Sequence, residues 1–394
     1  MHGTIGWFHP CRNGIMTQTF RNARLVLTDR VISGALAVAD GLIAAIDDGK
    51  AAPTSALDLE GDYLMPGLVD LHNDNIENHY QPRPQTYWDP VSAAVNHDGE
   101  VAISGITTVF DALCLGLSDK GELRAKHVRP LVDGIAAAKS AGMLRVDHRI
   151  HLRCEVIGPT VLDQLATFDD DRMVGLVSVM DHAPGQRQTA DVDTWYRIRR
   201  ENDGLTEDQA RADFERLTAA SRERGPRQRR LVAAWAKERR LGLASHDDQT
   251  DEHVAESAEI GCTIAEFPTT VDAAVACRRH GLAVMMGGPN LVRGRSSYGN
   301  ITARELAAAD LLDLVSSDYV PASMLHAAFT LASSVEGWDL PRAVHTVTAV
   351  PATAAGLDDR GRLAAGQRAD LIRVRTIGGR PVVRGVWVAG ERVA

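Results

Sequence analysis

Lysine is nearly missing from this 394-residue chain: five of its 43 basic residues are Lys and the rest are Arg. A guanidinium suits bidentate contact with carboxylates and phosphates, although genome base composition alone produces the same bias. Cysteine is scarce as well. Cys11, Cys114, Cys154, Cys262 and Cys277 form no C-x-x-C pair and are odd in number. That pattern argues against a disulfide framework and a Cys zinc site, and fits a reducing cytoplasm. No run of about 18 uncharged apolar residues occurs; the stretch Val101–Leu117 is interrupted by Asp111 and contains Gly105. Residues 1–15 lack the basic start and apolar centre of a secretory signal. They read as an extension ahead of a second start at Met16, with no assigned role. Positive charge is not in excess: the net charge of -9 argues against nonspecific nucleic-acid binding and a polybasic membrane surface.

What is present is the composition of an ordinary globule, 44% hydrophobic and 24% charged. Short β-rich runs, Ala23–Leu27, Ala35–Val38 and Gly41–Ile46, open the chain, and Ala369–Val374 and Val382–Val388 close it. These ends are expected to pair into one small β-sandwich, residues 16–63 with 351–394. Between them, residues 64–350 alternate apolar strand runs with helical stretches, the signature of parallel βα units. The strands read as Leu68–His72, Ile106–Asp111, Arg149–Glu155, Leu176–His182, Gly242–His246, Thr263–Phe267, Leu282–Met286 and Leu314–Asp318. Eight such units predict an α/β fold, a (β/α)8 TIM-like barrel. An open doubly wound sheet is the alternative, but no G-x-G-x-x-G follows the first strand. The charged segment Thr206–Arg240 carries a capping-box start at Thr206 and Gln209 and predicts a helical excursion over the barrel mouth.

Barrel active sites gather at the carboxyl ends of the strands. In the first strand Asp70, His72 and Asp74 share one face by alternation, and Val69 and Leu71 the other. Apolar residues are expected toward the helices, which turns His72 and Asp74 to the mouth. Glu155, His182, His246 and Asp318 end the third, fourth, fifth and eighth strands. Six imidazoles and carboxylates on one rim suit zinc, manganese or iron, with ligands for two ions if one carboxylate bridges. A lone strand-end His is ordinarily a hydrogen-bonded polar residue; six in phase, with a local H-x-D, reverse that reading. His151 reads as a satisfied polar residue deeper in the barrel, and Cys154 as core. Asp247 and Asp248 read as outer partners of His246; Asp111 reads either as a strand-end site residue or as one bonding a neighbouring loop; and His97 and Asp98 stand before an expected helix, where Asp would cap it, with substrate contact the alternative. Arg153, Arg187 and Arg293 are the candidate anion binders, with Arg83 a weaker one. Arg293 lies in the Gly- and Ser-rich loop 287–300 after the seventh strand, a place where barrels bind phosphate.

Leu64-Met65-Pro66-Gly67-Leu68-Val69-Asp70-Leu71-His72 resembles the first-strand entry of the amidohydrolase superfamily, and Gly361–Leu371 its return into the β-sandwich. Within it, His151–Glu155 (HLRCE), Met180–Gln188 (MDHAPGQRQ), Ala244–Asp248 (ASHDD), Ala265–Thr270 (AEFPTT), Gly288–Gly294 (GPNLVRG) and Ser316–Tyr319 (SSDY) are similar to a more specific family. Its members hydrolyse a ribosyl triphosphate in phosphonate metabolism, in the carbon–phosphorus lyase pathway. Asn73 stands where that pattern has Thr, and Arg295-Ser296-Ser297-Tyr298 replaces Gly-Ser-His-Ser. The superfamily's carboxylated Lys has no counterpart, and Glu155 is taken in its place. The resemblance implies cleavage of a small-molecule ribosyl 5-triphosphate to the 5-phosphate and pyrophosphate. Two divalent ions would supply hydroxide, Asp318 would orient the water and take its proton, and Arg153, Arg187 and Arg293 would stabilise the pyrophosphate. Neither nucleic acid nor membrane is an expected partner, and a homo-oligomer is compatible. The alternatives are a C–N hydrolase, such as a cyclic amidase or deacetylase, and a metal-free binding scaffold, which would have shed its ligands.

Overall fold

Apolar runs bounded by Gly and turn residues form strands along the whole of the computed structural model, which describes residues 17–48, 53, 55–116, 120–296 and 298–394. The expectations for residues 1–15, Met16, Cys11 and Ser297 lie outside the described residues. Five strands come first: β1 Thr17–Val26, β2 Val31–Ala39, β3 Leu42–Asp47, β4 Leu57–Asp58 and β5 Tyr63–Pro66. Eight follow, β6 Leu68–Asn73, β7 Ile106–Leu115, β8 Asp147–Glu155, β9 Val174–Met180, β10 Gly242–His246, β11 Ile264–Glu266, β12 Ala283–Gly287 and β13 Leu314–Ser316. The last three are β14 Leu371–Ile377, β15 Arg380–Val388 and β16 Glu391–Arg392. Each of the eight barrel strands expected from the sequence overlaps one of β6–β13.

β6 to β13 pair in chain order as one parallel sheet. The ring closes at a parallel bridge between Asn73 and Asp318. There the Asp318 N–H donates to the His72 carbonyl at 2.9 Å, and the Asp74 N–H to the Asp318 carbonyl at 3.0 Å. Val69, Leu71, Phe110, Leu176, Ala244, Ile264, Met285 and Leu314 pack together inside the ring. A larger cluster, including Ile150, Leu152, Val177 and Val179, packs against the surrounding helices. The interior is therefore a filled core, and the polar residues stand above it.

Strict alternation fails in β6. Val69 and Leu71, expected toward the helices, lie in the interior cluster. Between Asp70 and Asn73 the strand advances three residues while its partner advances two, from Val109 to Asp111. This bulge allows Leu71 and His72 to point into the ring together. Asp70 turns to the seam, accepting from the Ser317 N–H and from Asn73 Nδ2, both at 3.0 Å.

The two chain ends share a second sheet, ordered β16-β15-β14-β5-β1-β2-β3, with β4 beside β1. It curls over its own core, so that Phe20 of β1 and Trp387 of β15 meet edge to face at 4.9 Å. The step from this sheet into β6 passes Gly67, where a Cβ would stand 2.2 Å from Thr107 Oγ1; no other residue fits. The capping box is present: Thr206 and Gln209 exchange hydrogen bonds of 2.9 and 3.3 Å at the head of the helix Glu207–Glu238. That helix is more than an excursion, since Val232, Ala233 and Ala236 belong to the core between barrel and helices. Among the described residues no helix is long and apolar enough to cross a membrane.

Candidate metal centre

Glu266, at the end of β11, is fully buried and lies between two imidazoles. Its Oε1 is 3.2 Å from His72 Nδ1 and its Oε2 is 2.9 Å from His246 Nδ1. A carboxylate only accepts, so both Nδ1 atoms donate, and each neutral ring keeps a lone pair on Nε2. Burial, reinforced at both rings by the charge of Arg153, lowers the pKa of His72 and of His246 to about 3. Both rings are thus neutral at physiological pH, the form that binds metal. His72 Nε2 is buried with no hydrogen-bond partner among the described residues.

Two clusters surround these nitrogens. Ligand atoms of His72, Asp74 and Asp318 lie within 4.8 Å of one another, and so do those of His182, His246 and Asp247. Asp247 Oδ2 is 3.3 Å from His246 Nε2 and 3.5 Å from His182 Nε2. Burial and the neighbouring Asp74 charge push the Asp318 carboxyl up to about 7. Facing carboxylates and an orphaned imidazole nitrogen fit a divalent cation, which would neutralise the first and ligate the second. Asp247 and Asp318 both hold positive φ, 56° each, as the chain turns sharply out of β10 and β13. The turns set both carboxylates at the rim.

His182 is placed differently. Its Nδ1 meets Glu155 Oε2 at 2.5 Å, and its N–H donates to Glu155 Oε1 at 3.2 Å. Burial opposes a charge on this ring, but Glu155 and Asp247 prevail and raise its pKa to about 10. Glu155 itself belongs to neither cluster. His151 sits lower in the ring, bonded to the Leu71 carbonyl at 3.0 Å and to Ser178 Oγ at 2.9 Å.

A cavity of ≈ 380 Å³ opens above the clusters, with His72, Asp74, His246, Asp247 and Asp318 in its wall. Arg153, Arg293 and Arg295 also line it, whereas Arg187 does not. Arg153 reaches Asp74 at 3.5 Å, and Arg293 Nη1 donates to the Tyr319 hydroxyl at 3.3 Å. Arg187 is buried in an ion pair with Asp248 and lies 3.4 Å from Glu256. Sequence reasoning missed Glu266 and Arg295, and cast Asp247 only as an outer partner. Alternation along the sixth strand, which puts Glu266 in phase with Ile264, was a signal for the first.

Outside the ring a second buried cluster joins β7, β8 and the helix Pro90–Ile103. Asp111 accepts from His97 Nε2 at 2.9 Å and from His148 Nδ1 at 2.8 Å. Asp98 lies 3.4 Å from His148 Nε2 and also accepts from Arg145. All four of its carboxylates and rings are closed to solvent, and the carboxylate oxygens already engage the imidazoles.

The sequence pattern of the amidohydrolase family matches residues 203–394. Alpha-D-ribose 1-methylphosphonate 5-triphosphate diphosphatase of Escherichia coli (strain K12) is 42% identical over 374 residues, 94% of this chain and 99% of that protein. Among solved structures, 5-methylcytosine deaminase from Klebsiella pneumoniae, liganded with phosphonocytosine, superposes with a TM-score of 0.63 at 16% identity, over 96% of this chain and 98% of that one. Dihydropyrimidinase from Brevibacillus agri gives 0.60 at 14%, over 96% and 95%. At such identities the structural likeness speaks for the fold alone.

Proposed function

We propose that this chain, a metal-dependent hydrolase belonging to the amidohydrolase family, cleaves α-D-ribose 1-methylphosphonate 5-triphosphate to the 5-phosphate and pyrophosphate. One observation carries the reading: a single cavity joins the imidazole–carboxylate clusters to arginines, in a chain 42% identical to a diphosphatase of that substrate. Such cations match a polyanionic substrate. His72, Asp74 and Asp318 would hold one divalent ion, and His182, His246 and Asp247 a second, of zinc, manganese or iron, with His182 giving up its second ring proton as the ion binds. A divalent metal held by these residues would lower the pKa of water and offset the charge of the attacked phosphoryl group.

The chain's own residues supply the rest. Glu266 and Glu155 fix the rings of His72, His246 and His182 by accepting hydrogen bonds from their Nδ1–H groups, the usual support of a ligating imidazole. Asp318 orients the attacking water and accepts its proton. Arg153 and Arg293 stabilise the charge that develops on the pyrophosphate. Arg187, turned to Asp248, serves by holding the loop after β10. Catalysis belongs to residues 64–350, and the composite unit of 16–63 and 351–394 supports them.

Attack at the α-phosphorus is the expected route, because the clusters form the floor of the cavity and Arg293 lines its wall from the end of the helix Gly288–Arg293, where the sequence suggests a loop. Hydrolysis in oxygen-18 water should label the sugar 5-phosphate and leave pyrophosphate unlabelled. Labelled pyrophosphate, or orthophosphate as the first product, contradicts this arrangement. Amide hydrolysis without phosphate release would instead make the chain a C–N hydrolase.

A further inference from the structure

The three arginines of the cavity are not equivalent. Arg153 is buried at the floor, 3.5 Å from Asp74, and its charge is already engaged. Arg293 is bonded to Tyr319. Arg295 lines the same cavity, is exposed, and makes no hydrogen bond or ion pair with the described residues. Arg187, Arg199, Arg278 and Arg360 are each matched by an Asp, whereas Arg295 stands unmatched above the acidic floor of the cavity.

Its backbone is held in place on both sides. Before it, Arg304 clamps the preceding helix by donating to the Leu291 carbonyl at 2.8 Å and the Val292 carbonyl at 3.1 Å. After it, Asn300 Nδ2 donates to the Gln188 carbonyl at 3.1 Å, and the Ile301 N–H to the Thr269 carbonyl at 3.1 Å. The anchored flanks hold the backbone near Arg295 at the cavity, so that what a bound group has to order is the guanidinium itself.

We propose that Arg295 is a specificity-determining residue that takes a non-reacting terminal phosphate or phosphonate of the substrate. The inference rests on the reading of the site as a ribosyl triphosphate hydrolase. A guanidinium grips such a group through two parallel N–H···O bonds. Two ends of the substrate carry that chemistry: the γ-phosphate of the chain and the phosphonate at ribose C1. Each lies away from the reacting phosphorus, so the contact contributes to binding more than to the chemical step.

Metal-loaded wild type, Arg295→Ala and Arg295→Lys should be compared on three substrates: the phosphonate-bearing ribosyl triphosphate, the corresponding diphosphate, and ribose 5-triphosphate without the phosphonate. Arg295→Ala should raise KM by about tenfold or more, with kcat changed little, and Arg295→Lys should recover part of the loss. A collapsed preference for triphosphate over diphosphate identifies the γ-phosphate as the partner. A collapsed preference for the phosphonate-bearing substrate identifies the C1 group. Both ratios unchanged overturns the proposal. If the wild type turns over none of the three, the functional reading falls, and binding of inorganic tripolyphosphate then tests Arg295 by itself. Equal affinity in wild type and Arg295→Ala would reject its role. Because Arg295 is exposed and unpaired, the variants should melt with the wild type.

Discussion

Glu266 shows how much one side chain can decide. With one oxygen on each of two imidazoles, it sets the tautomers of His72 and His246 together. Glu266→Gln keeps the shape but brings an N–H₂ donor against one ring, forcing that ring to give up its free Nε2. Metal content and kcat/KM should each fall by about 10–100-fold, measured by elemental analysis and steady-state kinetics. His72→Asn removes a ligand outright and should cost on the order of a hundredfold or more in turnover. A fully loaded, fully active Glu266→Gln enzyme would refute this account. Strand-end position was enough to gather His72, Asp74, His182, His246 and Asp318, because the end of a parallel strand fixes where its last side chain stands. It was not enough for Arg187. A basic residue in a polar loop reads as a surface cation, and its partner Asp248 is 61 residues away in the chain.

At the scale of elements, the buried His97–Asp111–His148–Asp98 network fastens the helix Pro90–Ile103 to β7 and β8. Burial disfavours a charged His148, yet Asp111 and Asp98 outweigh it and raise its pKa from 6.5 to about 9. The folded chain therefore holds a proton that the unfolded chain releases between those values. The stabilisation is complete below pH 6.5 and drains away as pH rises through 9. The stability gap between wild type and His148→Gln, from urea unfolding at successive pH values, should be largest near pH 6 and shrink toward pH 9. Its slope is bounded at about 1.4 kcal/mol per pH unit. Groups remote from His148 cancel in that difference, leaving His148 and the neighbours coupled to it, His97, Asp98 and Asp111; a gap independent of pH would contradict a charged His148 in the folded chain. The strands themselves were legible, since apolar runs closed by Gly and Asp mark β6–β13 well. The β6 bulge was not, because an extra residue against β7 is a property of the pair and leaves no trace in one strand's periodicity.

For the molecule as a whole, the curled sheet binds one end of the chain to the other. β14 lies between β5 and β15, and its Leu371 is packed with Phe20, Leu36 and Leu64. Gly105, just ahead of β7, faces Ile372 and Val383, so this sheet also abuts the barrel. A chain ending at Arg368 loses β14–β16, leaves the edge of β5 unpaired and uncovers that core. It should aggregate, as measured by its soluble yield and its elution in size-exclusion chromatography. A soluble, metal-loaded product would mean that the barrel stands without it. That the two β-rich ends pair was expected from sequence and holds, but which strands meet, β5 with β14, joins residues remote in the chain, and no local pattern could register it.

The seam of the ring has a consequence for the life of the protein before it is complete. Asp70 and Ser317, which stitch β6 to β13, are 247 residues apart, and the candidate ligands His72, Asp74 and Asp318 flank that same stitch. A ribosome delivers the first strand long before the last. From the making of Asp74 until that of Asp318, more than half of the chain's length, the nascent chain displays His72 and Asp74 without the carboxylate opposite them, an incomplete grip on any cation. On the proposed reading, the site of the first ion is completed only when the eighth strand docks against the first, after the cluster of His182, His246 and Asp247 has already been made.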